Sequence, residues 1–170
     1  VDIGLGDTMV LGTSSGCVMP ASTTVPDACV IAVRSFTTAG TFRVTGSRPL
    51  VVLVSGIFEV QATGLIDAAS RAGGAGPGTR DCPPASTPTG GGGGAGASLV
   101  ARGGNGGQGG SGAGGQSATG TAIAGLVGGC IGSAGAGVLA GAGGAGGGGV
   151  LIIAGSVFVD GRIDASGQGG

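Results

Sequence analysis

Glycine at every third position, in a stretch without charged residues, is the feature that most limits how this chain can fold. Residues 103–111 read Gly-Gly-Asn, Gly-Gly-Gln, Gly-Gly-Ser, and glycine stays in phase at Gly112 and Gly115. A second run, 141–147, keeps glycine at its first, fourth and seventh positions. Period three matches an extended left-handed helix with three residues per turn, in which every third residue shares one face. A face made only of glycine lets neighbouring backbones come close together.

Ordering such a segment is costly, because glycine loses more backbone entropy than any other residue. Hydrogen bonds between adjacent backbones, at about 0.5–1.5 kcal/mol net each, are the main compensation where side chains are absent. The pattern therefore predicts a bundle of polyglycine II-type helices, with a flexible glycine-rich loop as the alternative. The predicted packing positions are glycines in phase and apolar residues that face a core or a partner. They are Gly103, Gly106, Gly109, Gly112, Gly141, Gly144, Gly147, Ile123, Leu126, Val127, Val138 and Leu139.

Composition divides the 170 residues into three parts, which we expect to form one compact unit. Residues 1–88 hold 12 of the 46 glycines and all seven prolines, whereas residues 89–170 hold 34 glycines and no proline. We assign 1–88 to a β-rich part, 89–149 to the polyglycine-type segment and 150–170 to a C-terminal strand repeat.

The N-terminal part has the pattern of short β-strands. Phe42 and Val44, and then Leu50, Val52 and Val54, alternate with other residues at period two. β-Branched residues favour strand over helix, and no stretch combines a helical apolar stripe with caps. The expected fold class is all-β, with short strands in solenoid or sandwich-like layers and essentially no α-helix.

An internal repeat supports stacked layers. Segment 60–68 returns as 157–165, with Val, Gly, Ile, Asp and Ala at matching places and an offset of 97 residues. Each copy follows an apolar run and precedes a glycine-rich stretch. Two copies of one strand–turn–strand unit predict equivalent layers, as in solenoids.

Four cysteines and no histidine favour disulfides over zinc. Three pairings are open, and four buried free thiols are the alternative. We expect Cys17–Cys29 and Cys82–Cys130, because pairs that follow the sequence order would each pin a loop-rich segment. Closing a loop of about 50 residues contributes roughly 3–4 kcal/mol. Disulfides predict a secreted protein, extracellular or at the cell surface.

The composition removes most classes of enzyme and several kinds of partner. The chain lacks Lys, His, Tyr and Trp, so neither a Ser-His-Asp triad nor a P-loop lysine can be built. Matches to the dinucleotide fingerprint at 104–109 and 141–146 lack the required strand, helix and acidic residue. A net charge of −1 without a basic cluster argues against nucleic acid. No stretch fits a membrane-spanning helix, and we expect no cofactor and no metal.

A carboxylate pair is the one catalytic arrangement that this composition leaves. Glu59, Asp67, Asp160 and Asp164 could in principle supply the acid and base of a glycosidase. We favour the alternative, in which Asp67 and Asp164 accept hydrogen bonds from turn amides at strand ends. Surface arginines are the expected partners of these acids: Arg43, Arg48, Arg71 and Arg162. The chain is therefore not expected to be an enzyme.

Four motifs in a fixed order resemble a known group of proteins. They are Phe-Arg-Val-Thr-Gly-Ser-Arg-Pro-Leu at 42–50, Gly-Leu-Ile-Asp-Ala-Ala-Ser at 64–70, Gly-Gly-Gly-Gly-Val-Leu-Ile-Ile at 146–153 and Gly-Arg-Ile-Asp-Ala-Ser at 161–166. With the glycine-rich runs between them, they resemble uncharacterised glycine-rich secreted or surface proteins of myxobacteria and related bacteria. The resemblance covers residues 40–170 and implies a secreted, β-solenoid-like setting without catalytic residues. In composition, the glycine-rich stretch is also similar to the polyglycine bundles of an insect-relative antifreeze protein and of phage tail-tip adhesins.

These features predict an extracellular structural protein that self-assembles, as a filament or surface-layer subunit, through backbone hydrogen bonds and apolar packing. Residues 103–159 carry no charge, and unpaired strand edges and apolar patches are templates for assembly. The expected partner is a further copy of the chain, with cell-surface or glycan contact as the alternative. An adhesin or receptor-binding tip and an ice-binding protein are the competing functions.

Overall fold

A computed structural model describes residues 2–14, 28–71, 74–82, 84, 86–120 and 125–168. Within these ranges the chain forms eleven β-strands and no helix, so the fold is all-β, as predicted. The strands are β1 (Asp2–Leu5), β2 (Met9–Gly12), β3 (Cys29–Val33), β4 (Ser35–Thr38), β5 (Thr41–Thr45), β6 (Leu50–Val60), β7 (Leu65–Asp67), β8 (Arg80–Asp81), β9 (Cys130–Ile131), β10 (Val150–Val159) and β11 (Arg162–Asp164).

The paired strands of the described ranges run parallel in two main sheets. One sheet has the order β1-β4-β6-β10, with β3 also beside β6, and the other has the order β11-β7-β5-β2. Successive strands from β4 to β7 alternate between the two sheets. A parallel pair needs a long connection between its strands, and here the intervening strand of the other sheet supplies it. Each time the chain returns to a sheet, its strand therefore pairs with a strand from earlier in the sequence.

Strand β6 is long enough to pair with two earlier strands of the first sheet. Its first half, Leu50–Val54, lies beside β3, and its last residues, Phe58–Val60, lie beside β4. Gly56 lies between the two halves, where its N–H donates to the carbonyl oxygen of Arg34 at 2.8 Å. A Cβ on Gly56 would lie only 2.9 Å from that oxygen, so the close approach requires glycine.

The core consists of columns of side chains at matching strand positions. Phe36 and Phe58 are register partners, both are buried, and their rings stack with centroids 5.0 Å apart. Phe42 packs edge-on against Phe36 at 5.4 Å. Such aromatic pairs add about 0.5–1.5 kcal/mol beyond the burial of their area. Three of the four phenylalanines thus form the centre of the core, while Phe158 is 55% exposed.

The sequence repeat matches the structure in the second sheet and is displaced in the first. β11 lies beside β7 with Asp164 next to Asp67, which is the predicted offset. In the first sheet Val157 lies next to Phe58, and Val159 next to Val60. The expected equivalence of Val60 with Val157 is therefore wrong by two positions, because four residues form the turn after β6 and two form the turn after β10. A shift of two keeps each side chain on its original face of the sheet.

Strands β10 and β11 complete the two sheets that the N-terminal strands begin. Between β7 and β10 the described residues of 68–149 lie outside both main sheets, and the last of them return beside the end of β7. There Gly148 N–H donates to Ala68 O at 3.1 Å, and Gly149 N–H donates to Pro77 O at 2.8 Å. Strands β8 and β9 pair with each other in this excursion. We call its described glycine-rich part, 89–120 and 125–149, the glycine bundle.

Candidate functional site

Backbone hydrogen bonds between extended segments hold the glycine bundle together. Segments 129–135 and 141–147 run antiparallel, and their bonds recur at every third residue. These bonds run from Gly129 N to Gly147 O, from Gly132 N to Gly144 O and from Gly135 N to Gly141 O, at 2.7, 2.9 and 3.1 Å. Segments 93–96 and 104–107 repeat this spacing, with two bonds of 2.8 Å. The three-residue period is thus present in the contacts, while the polyglycine II assignment stays a prediction.

The glycines in phase from 103 to 112 face the carbonyl oxygens of neighbouring segments. A Cβ added at any of the four would overlap such an oxygen. The pairs are Gly103 with Gly96 O, Gly106 with Gly93 O, Gly109 with Gly91 O and Gly112 with Thr89 O. At Gly104 and Gly107, one residue out of phase, a Cβ would meet nothing within 4 Å. At these six positions the place within the triplet therefore decides whether a Cβ has room.

The second glycine run packs within the bundle through a different phase. Gly143 and Gly146 place their Cα atoms against the backbone of 129–132. Of the predicted row, Gly147 faces the carbonyl oxygen of Ala165, whereas a Cβ on Gly141 would meet nothing within 4 Å. Gly144 takes part through its carbonyl oxygen, the acceptor for Gly132 N–H. The row of Gly141, Gly144 and Gly147 is thus covered at one end and open at the other.

The apolar residues of the bundle differ in exposure. Leu126 and Val127 are partly buried, whereas Val138 and Leu139 are 102% and 98% exposed. Val138 and Leu139 lie on a turn closed by a 3.2 Å hydrogen bond from Ala140 N–H to Gly137 O. Their full exposure means that they pack against no core formed by the described residues. Predicted packing residue Ile123 lies outside the described residues.

A disulfide joins β9 to the residue that follows β8. It links Cys82 to Cys130 across a sequence separation of 48, and it is the pairing predicted from the sequence. The bond therefore closes a loop that contains about two thirds of the glycine bundle. The other predicted bridge, Cys17–Cys29, involves Cys17, which lies outside the described residues. Cys29 itself is fully buried.

Asp67 and Asp164 meet where β7 and β11 end, and three arginines surround them. Arg43 Nη1 lies 2.8 Å from Asp67 Oδ2, and Arg71 Nε lies 3.1 Å from the same oxygen. Arg162 Nη2 lies 2.6 Å from Asp164 Oδ2. Arg71 Nη2 also lies 3.5 Å from Asp164 Oδ2, so that one guanidinium bridges both carboxylates. The expected partnership of these acids with Arg43, Arg71 and Arg162 is confirmed.

Each carboxylate also accepts a hydrogen bond from the backbone N–H two residues further on, as predicted. Ala69 N–H donates to Asp67 at 3.2 Å, and Ser166 N–H donates to Asp164 at 3.0 Å. Burial alone would raise the pKa of Asp67, but hydrogen bonds from Arg71 and Ala69 and the charges of the arginines outweigh it and hold that pKa below its ordinary value. Hydrogen bonds from the hydroxyl and N–H of Ser166 are the main reason that the pKa of Asp164 is also lowered.

This arrangement fixes strand ends more readily than it supplies a general acid. A glycosidase acid must keep its proton near neutral pH, which requires a raised pKa, whereas both carboxylates here have lowered ones. The other predicted acids lie elsewhere. Glu59 accepts a 3.5 Å hydrogen bond from Thr37 Oγ1, and Asp160 is exposed in the turn after β10. Arg48 bonds through its backbone N–H to Thr13 Oγ1 at 3.3 Å.

The free side of β10 and β11 leaves one end of the core uncovered. Within the described residues β10 pairs with β6 and β11 with β7, and neither has a strand on its other side. Val157, Val159 and Ile163 are 52%, 44% and 38% exposed, although their register partners on β6 and β7 are at most 2% exposed. We call these three side chains and the unpaired backbone of the two strands the open edge.

The opposite end of the sheets is formed by β1 and β2 and, beside the first half of β6, by β3. Ile3 and Leu5 on β1 are partly buried against the core. On β2, Met9 and Val10 are 39% and 60% exposed. Both ends of the sheets therefore present strand edges on which apolar residues share columns. Ile3, Leu5 and Met9 stand in the columns of Val157, Val159 and Ile163.

Sequence reasoning expected unpaired strand edges but did not locate the open edge. It placed Val157 and Ile163 in a repeat, but an apolar pattern is the same whether or not another strand covers it. The available signal was Arg162, which stands in register with Leu65 and has a side chain 71% exposed. Charged residues are characteristic of strands at the edge of a sheet.

Comparison with known proteins found no matching family model, no matching curated protein and no matching solved structure. The resemblance to glycine-rich myxobacterial proteins therefore stays a prediction. In the described ranges, no helix has the length and apolar character needed to cross a bilayer. No group of three or more Cys, Asp or Glu residues in those ranges is placed to hold a metal ion. Function has to be argued from the surfaces of the molecule.

Proposed function

We propose that the chain is an extracellular structural protein that assembles head to tail, with the open edge of one copy stacked on the β1–β2 edge of the next. In this proposal the sheets are a short β-solenoid that carries a polyglycine II-type bundle. The open edge is the observation that carries it. Exposed apolar side chains beside unpaired backbone N–H and C=O groups form a template for a further strand.

The strand register supplies a geometry for the contact. One column contains Ile3, Phe36, Phe58 and Val157, and another contains Met9, Phe42, Ile66 and Ile163. Continuing each column by one step sets Ile3 of the next copy on Val157 and Met9 on Ile163. Apolar side chains then meet in both columns while the strands stay parallel. A heterologous contact of this kind does not close, so repeated stacking gives a filament.

Most of the charges at the two edges are paired within the chain, so the apolar columns set the proposed contact. Asp2 lies 3.4 Å from Arg34, and Arg162 lies 2.6 Å from Asp164. An extracellular location is supported by the Cys82–Cys130 disulfide, because such bonds persist in oxidising compartments.

The test compares charges placed on the two faces of β10. Val157→Lys puts a charge into the proposed contact, and Phe158→Lys puts the same charge on the adjacent residue, which points outward in register with Glu59. The two positions are matched, at 52% and 55% exposure. We expect light scattering to show assemblies that grow with concentration for the wild type and for Phe158→Lys, and monomers for Val157→Lys.

Circular dichroism on each variant checks that the sheets remain folded. A wild-type chain that stays monomeric at high concentration would contradict the proposal. Equal loss of assembly in both variants would also contradict it. The proposed contact uses the column side chain Val157 and not the outward-pointing Phe158, so the two variants should differ.

The exposed turn of the glycine bundle favours a second candidate, an adhesin or receptor-binding tip. Val138 and Leu139 are both fully exposed and lie next to uncharged glycine and alanine. Two fully exposed apolar side chains side by side form a small apolar patch that a partner can bury. Binding to a glycan or cell array that is lost in the Val138→Ser/Leu139→Ser double variant supports this function, and an array without signal counts against it.

A further inference from the structure

The outward face of the first sheet carries apolar side chains that belong neither to the open edge nor to the exposed turn of the glycine bundle. Alternate residues of β6 lie in the core, and the residues between them point away from it. Four outward side chains of β6 and β10 are large, apolar and exposed. They are Leu53 at 38%, Ile57 at 50%, Leu151 at 41% and Ile153 at 54%. We call these four side chains the outer patch.

The strand register brings the side chains of the outer patch together. Leu53 and Ile153 are register partners, on neighbouring strands that lie about 4.8 Å apart. Leu151 lies two residues before Ile153, and Ile57 lies four residues after Leu53, on the same face. The next outward residue of β6 is Glu59, whose carboxylate accepts a hydrogen bond. The outer patch therefore extends along both strands and ends at a polar group.

Charge distinguishes this face from the outward face of the second sheet. Strands β3 and β10, and β6 up to residue 58, contain no charged residue. In the second sheet, Arg43, Asp67 and Asp164 form one outward column of register partners. Adjoining exposed apolar residues with a polar rim mark a site of interaction. A face without charge can be covered by another apolar surface, because no charge then loses its hydration unpaired.

The size of the outer patch limits what can cover it. It extends over seven strand positions, from Leu151, the register partner of Val51, to Ile57. Seven positions on two neighbouring strands measure about 23 by 10 Å, or about 230 Å². A stable protein interface buries about 800 Å² on each partner, so about four such patches are needed. A head-to-tail stack supplies them, because each copy presents the same patch.

We propose that two head-to-tail stacks of this chain pair through their outer patches, face to face, as two β-sheets do in a sandwich. The pairing rests on the proposed head-to-tail assembly, which repeats the patch along each stack. A second copy is the occupant because its patch has the same length, the same spacing of strands and the same lack of charge. Sheets packed in this way lie about 10 Å apart. Single copies pair weakly and stacks pair tightly, because the contacts along two stacks act together.

Electron microscopy of the assembled chain tests the pairing with a charge placed in the outer patch. Leu53→Lys changes a residue of β6, which has strands on both sides, so the open edge keeps its own side chains. Val100→Lys is the control, because Val100 lies in the glycine bundle and is 65% exposed. We expect ribbons of two stacks for the wild type and for Val100→Lys, and single stacks of half the width for Leu53→Lys.

Ile153→Lys, at the register partner of Leu53, is a second variant with the same expected result, and circular dichroism checks that each variant is folded. Wild-type stacks that remain single would overturn the pairing and leave head-to-tail assembly intact, and so would ribbons that persist in both patch variants. Single wild-type stacks that bind phosphatidylcholine vesicles, and lose this binding in Leu53→Lys, would assign the patch to a lipid surface instead.

A measurement on copies that cannot stack separates the pairing from head-to-tail assembly. Val157→Lys blocks the column contact and leaves the outer patch unchanged, because Val157 stands in register with the buried Phe58. In this variant we expect the backbone amide NMR signals of Leu53 and Ile153 to shift as the protein concentration rises to millimolar. Adding Leu53→Lys should abolish the shift at Ile153. Signals that do not change with concentration would overturn the pairing, whether or not the wild type stacks.

Discussion

The sheets and the glycine bundle reach an ordered state by opposite means. In the sheets, side chains such as Phe36 and Phe58 leave water, and burial stabilises by about 25 cal/mol for each Å² of apolar surface. The bundle has few side chains to bury, and fixing each residue costs about 1–2 kcal/mol of entropy. Its backbone hydrogen bonds return about 0.5–1.5 kcal/mol each. The bundle therefore depends on its attachment to the sheets, whereas the sheets have a core of their own.

Truncating a core ring tests the side-chain half of this comparison and should have the largest effect. Phe58 is 1% exposed and stacks on Phe36. We expect Phe58→Ala to lower the free energy of unfolding in urea by about 3–5 kcal/mol, because it removes buried surface and leaves a cavity. Phe158→Ala, at a ring 55% exposed, should change it by about 0.5 kcal/mol or less. Equal losses would mean that Phe158 is also covered in solution.

Removing the disulfide tests whether the bundle depends on a covalent cross-link between β8 and β9, outside the two main sheets. The Cys82–Cys130 bond closes a loop of 48 residues, and such a bond contributes about 2–4 kcal/mol. We expect the Cys82→Ser/Cys130→Ser double variant to lose hydrogen-exchange protection at bundle amides such as Gly132 and Gly135. Protection at Val52 and Val54 in β6 should remain, because their column does not include the bundle. Uniform loss in both regions would show that the two unfold as one unit.

The sequence allows more of the sheets to be predicted than of the surfaces. Alternation marked Phe42, Val44 and Leu50 as core, because a buried face leaves a period of two. The repeat placed Asp164 beside Asp67, but not the convergence of three arginines on them, which depends on the distance between strands. The shift of Val157 comes from the different lengths of the turns after β6 and β10. Those lengths are present in the sequence, but no residue pattern indicates where each strand ends and its turn begins. The exposure of Val138 and Leu139 could not be predicted, because an apolar residue has the same identity in the sequence whether it packs in a core or lies in solvent.

Alanine at adjacent glycines tests the backbone half of the comparison, with opposite signs expected. At Gly106 a Cβ would overlap Gly93 O, and overpacking of this kind costs about 1–3 kcal/mol. At Gly107 a Cβ meets nothing within 4 Å, so Gly107→Ala should stabilise by about 0.4–1 kcal/mol through the entropy of the unfolded chain. Urea unfolding of both variants is the measurement. Equal effects would show that the bundle is not packed at the three-residue period.

The junction between the two regions is the ion-pair cluster of Asp67 and Asp164, where β7 and β11 end. Acid titration tests this junction and should have the smallest effect, because solvent screens the partly exposed arginines. The pKa of Asp67 is lowered in the folded chain, so the unfolded chain takes up its proton first as the pH falls. The stabilisation is therefore complete above the ordinary Asp pKa of about 3.9 and is lost below it as the pH passes through the folded value. We expect the urea midpoint to fall with pH in that window for the wild type and less steeply for Asp67→Asn. Asp160→Asn, at an exposed turn outside the ion-pair cluster, should follow the wild type. If the urea midpoint of Asp67→Asn fell with pH as steeply as that of the wild type, the cluster would form equally well without its buried carboxylate. The junction would then be held by the turn amides and by the hydrogen bonds to the carbonyl oxygens of Ala68 and Pro77.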